Sequence, residues 1–393
     1  MGATELPPGA HLAMLRKARG LSQAQLARQA NISVSLLSKI EVGDRALSPA
    51  VAAELGRAMG LTMAQVFGEA PAGRATEASL SELRDAIRDY DLPEGRRIVE
   101  GAFTAAMDAA QRLREEVKVD KLLTALPGLL RDATEHAHAT NTPQAWMRLA
   151  DVYSSVYWLA ARHRWMDMAE LAVTRQRWAV EQKANPLGVA VAARDRAGTY
   201  LNFGDVERGL TLVDRAVGQA QASLSGEERD IAVCILNLRG MTLAGRLRDK
   251  REAKREAQRH IRSAMAISDG LPGELKVHGL TVGPQNTFTH VLATNVDLGR
   301  PHDALALTDD LAGALAGLPP TRVAPTYINA ARAQLDVGNW DAALDNLTLA
   351  FGAAPQMARI HPMGREVLRV LASLHRRSND KLTRLTRLSG MSL

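Results

Sequence analysis

Residues 21–43 read LSQAQLARQANISVSLLSKIEVG, and this stretch decides how the first part of the chain folds. Ser22 is a good N-cap for a helix that runs from about Gln23 to Gln29, because its hydroxyl can accept from an unpaired backbone N–H. Asn31 tolerates the left-handed backbone that a tight turn needs. Ser33 can then cap a second helix in the same way. The stretch therefore predicts two short helices joined by a tight turn.

The second helix has one apolar face and one largely polar face. Leu37 and Ile40 lie three positions apart, so they share the face that packs on the first helix. Gly43 stands at a typical helix stop. The positions left facing outward are Val34, Ser35, Ser38 and Lys39. This is the pattern of a helix-turn-helix, which places one helix in the major groove of DNA.

Segments on both sides of this stretch predict three more helices. One occupies about residues 11–19. Ser48 is a cap followed by proline at the first helical position, and helical spacing of apolar residues continues up to Gly60. Thr62 can cap a short final helix. The sequence thus predicts an N-terminal domain of five helices.

The run GLSQAQLARQANISVSLLSKIEVGDRALSP, followed by GLTMAQVFG, closely resembles the Xre-type, or Cro/cI-like, DNA-binding domain. The resemblance covers about residues 9–69, with the caps, the turn, Glu41 and Gly43 in register. It implies that Gln23 contacts a phosphate and that Arg45 lies in a stretch that meets the DNA backbone. The DNA-binding set that it implies is Gln23, Ser33, Val34, Ser35, Ser38, Lys39 and Arg45.

Val34 departs from the family pattern, in which a long polar base reader is common at this position. An exposed valine can touch a thymine methyl group, or its presence makes the helix weakly selective. An inert helical bundle would use the same core residues, and the resemblance argues against that alternative.

The composition favours packed helices over sheets. The chain has 393 residues, more than one ordinary domain, and is 46% hydrophobic but only 4% aromatic. Strands are enriched in aromatic and β-branched residues, so a core rich in Ala and Leu favours helices. No apolar run of roughly 18 or more residues predicts a membrane span, and the N-terminus lacks signal-peptide regions. With Cys234 as its single cysteine, we expect a soluble, cytoplasmic protein with no membrane partner.

The net charge is +6 at pH 7 and the sequence pI about 9.6, which suits a polyanionic partner such as DNA. Two stretches are dense in charge. They are RLRDKREAKREAQRHIR from Arg246 and HRRSNDKLTRLTRL from His375. Both are typical of solvated helix faces that carry ion pairs. The functional alternative is that they make an auxiliary contact with nucleic acid.

Internal similarity organises the rest of the chain. NFGDVERGLTLV from Asn202, DLGRPHDALALT from Asp297 and DVGNWDAALDNL from Asp336 each have glycine at the third place and a small residue five later. RHRWMDMAELAV from Arg162 is a looser copy, with Trp165 in the place of Trp340. Both tryptophans are expected in the usual core position of the repeat. Each copy predicts two helices joined by a glycine-bearing turn, and such units bury their apolar faces by stacking on neighbours.

These units resemble tetratricopeptide repeats, and more closely the long-helix repeats of Xre-type regulators that sense a ligand. The predicted fold is all-α, with a five-helix Cro/cI-like domain followed by a tetratricopeptide-like α-solenoid. The predicted divisions are 9–69 for the DNA-binding domain, 70–79 for a linker, 80–140 for connecting helices, 141–355 for the repeats, and 356–393 for C-terminal capping helices with a basic tail.

In arrays of this kind, the first helix of each pair lines the concave surface. Amide side chains there suit a peptide backbone, because an amide offers both donors and acceptors. The candidate ligand-binding residues are Arg194, Asn202, Asn237, Asn286, His290 and Asn329. The alternative for each single residue is an ordinary solvated or capping side chain.

No motif predicts catalysis, a metal site or a cofactor. The sequence has no P-loop, no HExxH, no nucleophile elbow and no paired cysteine ligands. We therefore expect a transcriptional regulator, not an enzyme, that binds operator DNA as a homodimer and senses a peptide or small-molecule effector. An adaptor that uses its repeats to grip a partner protein is the alternative, and an antitoxin-like autorepressor is a third.

Overall fold

The computed structural model describes residues 8–68, 74–374 and 379–390. Within these ranges the chain forms 22 helices and one hairpin of two short strands. The predicted all-α fold is therefore confirmed, with the hairpin as its one addition among the described residues. None of the described helices is long and apolar enough to cross a membrane.

The N-terminal domain has the five predicted helices. They are α1 (Pro8–Ala18), α2 (Gln23–Gln29), α3 (Val34–Val42), α4 (Pro49–Met59) and α5 (Met63–Phe67). The hydroxyls of Ser22 and Ser33 accept from the backbone N–H groups three residues on, at 3.2 and 3.1 Å. Asn31 has φ 52° and Gly43 has φ 99°, as the turn and the helix stop require. Local signals therefore place these helices to within a few residues.

Three helices connect this domain to the repeats. They are α6 (Arg74–Arg88), α7 (Glu100–Glu115) and α8 (Val119–Thr140). Of the linker expected over 70–79, residues 70–73 lie outside the described part of the chain, and α6 begins at Arg74.

Antiparallel helix pairs then stack in sequence order. They are α9 (Pro143–His163) with α10 (Met166–Glu181), α11 (Pro186–Phe203) with α12 (Val206–Ser223), α13 (Gly226–Ala244) with α14 (Lys250–Ser268), α15 (Pro284–Asp297) with the short α16 (Pro301–Leu305) and α17 (Leu311–Ala314), and α18 (Pro320–Asp336) with α19 (Trp340–Ala353). The C-terminal helices are α20 (Pro355–Ile360), α21 (Pro362–Leu374) and α22 (Asp380–Ser389).

The repeated glycines take the left-handed conformation at the turns within pairs. Gly204, Gly299 and Gly338 have φ 85°, 71° and 81°. The small residues five later, such as Ala343, are buried against the first helix of the pair. In the copy that starts at Arg162, Arg164 occupies the position of the turn glycine and has φ 61°. Of the two tryptophans expected in matching core positions, Trp165 is buried, whereas Trp340 is 43% exposed.

The array closes on itself. A single hydrophobic core includes residues of α8–α10 and also residues of α18–α22. The carbonyl of Ile360 accepts from Nη1 of Arg164 at 3.1 Å, and Nε2 of Gln356 donates to Asp120 at 2.9 Å. The last helices therefore return to the first, and the concave surface lines a partly enclosed interior.

A hairpin between α14 and α15 bridges this interior. Its antiparallel strands are β1 (Leu275–Val277) and β2 (Leu280–Val282). Nδ1 of His278 at its tip lies 3.2 Å from Asp151 on α9, and Lys276 donates to Glu115 on α7 at 2.6 Å. Although burial alone would lower the pKa of His278, its hydrogen bond and ion pair with Asp151 raise it above the usual value.

Close helix approach between α13 and α14 yields a stability prediction. A Cβ added at Gly240 would lie 2.4 Å from Cε1 of His260, whereas a Cβ added at Gly218 on α12 meets nothing within 4 Å. We expect Gly240→Ala to lower the free energy of unfolding by about 1–3 kcal/mol through overpacking. Gly218→Ala is the matched control and should raise it by up to about 1 kcal/mol. Urea unfolding measures both, and equal effects would contradict the helix crossing described here.

Candidate functional sites: an exposed helix and an arginine-lined cavity

Helix α3 presents its outward face to solvent. Val34 is 45% exposed, Ser35 and Lys39 are exposed, and Ser38 is half-buried. Leu37 and Ile40 on the opposite face are fully buried. The structure therefore brings the predicted base-facing side chains together on one side of one helix. Ser33 caps that helix and Arg45 is exposed in the turn that follows it.

A buried ion pair holds α3 against the rest of its domain. Nε and Nη2 of Arg16 on α1 donate to the two oxygens of Glu41 at 2.7 and 2.8 Å. Nε2 of Gln23 donates to the same carboxylate at 2.8 Å. Burial by itself raises the pKa of Glu41, but the hydrogen bonds from Arg16 and Gln23 bring it below the usual value. Gln23 keeps a second N–H for the phosphate contact that the resemblance implies.

The turn after α3 is docked onto the C-terminal helices. Oε2 of the fully buried Glu366 accepts from the backbone N–H of Leu47 at 2.8 Å. Nη2 of Arg369, which pairs with Glu366 at 2.8 Å, also donates to the carbonyl of Arg45 at 3.0 Å. Because these groups are buried in α21, the position of α3 is fixed relative to the array.

Three further contacts hold α4 and α5. Nε of Arg164 donates to the carbonyl of Gly68, just after α5. A Cβ added at Gly204, in the turn between α11 and α12, would lie 2.9 Å from Cβ of Ala53 on α4. Arg248 lies 3.7 Å from Glu54 on the same helix. The helix-turn-helix domain therefore sits on the rim of the array.

A cavity of about 320 Å³ lies inside the closed array. Its wall is formed mainly by the first helices of the pairs, α9, α11, α13, α15 and α18, as expected for such arrays. The N-terminal domain also contributes to this wall. The contributed residues are Pro49, Met63, Ala64 and Phe67. A molecule in the cavity can therefore touch both the array and the domain that carries α3.

Four of the six candidate ligand residues line this cavity. They are Arg194, Asn202, His290 and Asn329. Asn237 is buried instead between α13 and α14, where its Oδ1 lies 2.8 Å from Nδ1 of His260. Nδ2 of the buried Asn286 donates to the carbonyl of Thr281 at 2.8 Å, which anchors the hairpin. The structure gives these two amides roles within the fold and separates them from the other four.

Arginine is the dominant side chain of the cavity wall, and it is the feature that sequence reasoning missed. Of the described lining residues, eight are arginines and one is acidic, Asp297. The arginines are Arg114, Arg162, Arg164, Arg194, Arg239, Arg246, Arg322 and Arg332. A signal was present on α13, where Arg239 interrupts the apolar run IAVCILNLRGMTLA.

The few carboxylates near the cavity are already engaged. Asp297 accepts from Nε of Arg246 at 2.8 Å and from Nη2 of Arg332 at 2.7 Å. Asp195 pairs with Arg194 at 2.6 Å and also accepts from Ser154 at 2.7 Å. These two carboxylates therefore balance three arginines.

The remaining positive charges depress one another's proton affinity. Burial, followed by repulsion from Arg194 and Arg114, lowers the pKa of Arg322 to about 9. Burial is also the main cause that lowers the pKa of Arg114 to about 10. Both groups stay protonated at pH 7. Burial and the neighbouring Arg322 hold the pKa of His290 well below its usual value, so His290 is neutral.

Metal-ligand groups and the single cysteine were the remaining chemical candidates. No group of three or more His, Cys, Asp or Glu side chains among them could hold a metal ion. Burial raises the pKa of the Cys234 thiol to about 12, so the thiol stays protonated near neutral pH.

Fold and site together define a helix-turn-helix domain carried on a closed array of tetratricopeptide-like helix pairs. Residues 9–66 match the family model described as a helix-turn-helix domain. A comparison with curated protein sequences gave no match.

Several solved structures are similar over most of the chain, at low identity. PlcR of Bacillus thuringiensis, in complex with the peptide PapR7 and DNA, is 12% identical, with 92% of this chain and 98% of that chain covered and a TM-score of 0.30. PrgX in complex with iCF10 is 9% identical, with 99% and 98% covered and a TM-score of 0.26. The TPR domain of P58(IPK) is 13% identical, with 95% and 100% covered and a TM-score of 0.25. Superpositions with such TM-scores do not establish a common fold.

The Arg16–Glu41 pair makes a stability prediction with a defined pH dependence. Glu41→Gln leaves Arg16 without its carboxylate, and we expect a loss of about 3 kcal/mol at pH 7. The folded-state pKa of Glu41 is lowered. The extra free energy of unfolding of the parent over the variant is therefore fully present above the unfolded pKa of a glutamate, about 4.3, and is lost as the pH falls through the folded pKa. Urea unfolding from pH 7 down to pH 3 measures it. Glu252→Gln, on an exposed face of α14, is the control and should change little.

Docking of the N-terminal domain is tested by two turn glycines of the same conformation. Gly204→Ala and Gly338→Ala both place alanine in a left-handed turn, which costs about 1–2 kcal/mol each. Only the first meets the N-terminal domain, since a Cβ at Gly338 has nothing within 4 Å. Hydrogen exchange of α4 and α5 should therefore speed up in Gly204→Ala alone. Equal exchange in the two variants would show that Ala53 does not rest on this turn.

Proposed function

We propose that this protein is a DNA-binding transcriptional regulator whose closed helical array senses a ligand. One observation carries the proposal. The domain that exposes α3 also forms part of the wall of the interior cavity. DNA recognition and ligand occupancy therefore involve one rigid group of five helices.

The exposed face of α3 offers suitable chemistry for reading a major groove. Lys39 can donate to the acceptors of guanine, Ser35 and Ser38 can pair with several base edges, and Val34 can contact a thymine methyl group. Gln23 and Arg45 flank this face and would hold phosphates, which position the domain without reading sequence. Ser33 fixes the start of the helix through its cap.

We propose a homodimer on the operator. Helix-turn-helix dimers bind half-sites about 10–10.5 base pairs apart, or a multiple of that, because each recognition helix enters the same side of the duplex. The docked position of each N-terminal domain would set that spacing, through the contacts of Glu366 and Arg369 with the turn after α3.

A ligand in the cavity would act by differential stabilisation. A bound molecule can shift an equilibrium only by as much as its affinities for the two states differ. Contacts with Met63 and Phe67 exist only while the N-terminal domain is docked, so an occupant that touches them favours the docked position. We propose a peptide or small-molecule effector that is held by Arg194, Asn202, His290 and Asn329.

The adaptor alternative remains a second candidate because Val34 is exposed where a polar reader is common. Purification of the intact protein from cells decides between them. A stoichiometric protein partner and no selected DNA site would favour the adaptor.

Selection from random-sequence DNA, followed by quantitative gel shifts, tests the regulator. Lys39→Ala should weaken the free energy of binding to the selected site by about 1–3 kcal/mol. The variant should also discriminate less between bases at the positions that face this side chain. Lys121→Ala, on an exposed face of α8, is the control of equal charge and should bind like the parent.

The parent should also show a steep salt dependence, with log K falling by roughly 0.9 per phosphate contact per unit of log salt concentration. A protein that binds no DNA at low salt, or a Lys39→Ala variant as selective as the parent, contradicts the proposal.

A further inference from the structure

We propose that the interior cavity binds a compact polyanion, a small molecule whose clustered phosphate or carboxylate oxygens bridge several arginines. This inference rests on the ligand-sensing function proposed above and names the chemical class of the ligand. The array would thus respond to a small charged molecule in place of an extended peptide.

An excess of positive charge is the first observation. Asp297 and Asp195 together pair with three of the eight arginines. Among the described residues, no carboxylate lies within 4.0 Å of the guanidinium nitrogens of four of the other five. Three of them are Arg162, Arg239 and Arg322, and the fourth is Arg114, on α7. Buried charges in proteins are normally paired, because an unpaired charge in a low-dielectric interior is costly.

Hydrogen-bond donors without partners are the second observation. The Nε atoms of Arg162, Arg239 and Arg322 are buried and have no hydrogen-bond partner in the described part of the chain. Within the same ranges, the partner of Nη1 of Arg114 is the Ser155 hydroxyl, at the long distance of 3.4 Å. Buried donors in native proteins are nearly always satisfied, so several unsatisfied donors in one cavity wall indicate a missing acceptor.

The geometry of guanidinium selects the acceptor. Its planar fork of N–H donors matches carboxylate and phosphate oxygens, and charge-assisted pairs of this kind are about twice as strong as neutral hydrogen bonds. A peptide carbonyl accepts hydrogen bonds but brings no charge, so it would leave the repulsion among the arginines uncorrected. After burial, repulsion from Arg194 and Arg114 is what lowers the pKa of Arg322.

The size of the cavity limits the ligand. Pockets for drug-sized ligands span roughly 300–1,000 Å³, and this cavity of about 320 Å³ is at the small end. Tyr157, Trp158 and Phe67 add apolar wall, which suits a small organic body bearing the anionic groups.

The four arginines come from four separate elements. Arg114 lies on α7, Arg162 on α9, Arg239 on α13 and Arg322 on α18. A polyanion that bridges them would tie the start, the middle and the end of the array together. It would also compete with Asp297 for Arg246 and Arg332.

Thermal unfolding and titration calorimetry of the full chain test the inference with two probes, pyrophosphate for the phosphate class and citrate for the carboxylate class. NaCl at matched ionic strength serves as the solvent control. We expect at least one probe to raise Tm by about 3–6 °C at saturation. The probe that binds more tightly identifies the class.

Charge-removing variants locate the binding. Arg239→Gln and Arg322→Gln should each weaken the probe at least tenfold, and neither should lower the Tm of the unliganded protein much, because each removes an unbalanced charge. Arg255→Gln, on the exposed face of α14, should leave probe affinity unchanged. No effect of either probe beyond that of NaCl, or binding undiminished in both cavity variants, overturns the inference.

Gel shifts with and without the probe separate this inference from the proposed function. A probe that binds the cavity without changing DNA affinity upholds the polyanion site and defeats ligand sensing. An uncharged effector that changes DNA affinity, with no binding of either probe, upholds ligand sensing and defeats the polyanion site.

Discussion

Three separate parts of the chain meet at the guanidinium of Arg164. Its Nη1 donates to the carbonyl of Ile360 at 3.1 Å, and its Nε donates to the carbonyl of Gly68. The backbone of Arg164 is left-handed, with φ 61°, which costs a non-glycine residue about 1–2 kcal/mol. Hydrogen bonds from a charged group contribute about 1.5–3 kcal/mol each, so they offset this strain. The start of the array, its end and the N-terminal domain are fixed together at this point.

Closure at Arg164 changes the physical character of the concave surface. In an open array, arginines on the inner helices would be hydrated. In the closed array Arg239 and Arg322 face a small interior, and burial lowers their pKa. The same closure places Met63 and Phe67 of the N-terminal domain in the cavity wall. An unbalanced charge in the cavity and a cavity wall shared with the domain that carries α3 therefore arise from one architectural feature.

The sequence predicted those features whose causes are local. Ser22, Asn31 and Gly43 set the caps and turns of the N-terminal domain, because each acts on backbone groups within about three residues. The turn glycines likewise revealed the helix pairs. Asn202 and Asn329 could be assigned to the inner surface by counting back from those turns, and they do line the cavity. Counting could not show that Asn237 is held by His260, because that contact depends on how two helices cross.

The sequence by itself determined the helix-turn-helix, its outward residues and the succession of helix pairs, since capping, turn and periodicity rules act over a few residues. Tertiary structure alone decided that the array closes, that Leu47 is docked on Glu366, and that Arg114 and Arg322 face each other's charge. These residues are far apart in sequence. The sequence does not show whether an arginine lies on a solvated helix face or in a cavity. Only the folded chain sets the water and the counter-charge around it, which is the physical reason that the arginine-lined cavity could not be predicted from the sequence.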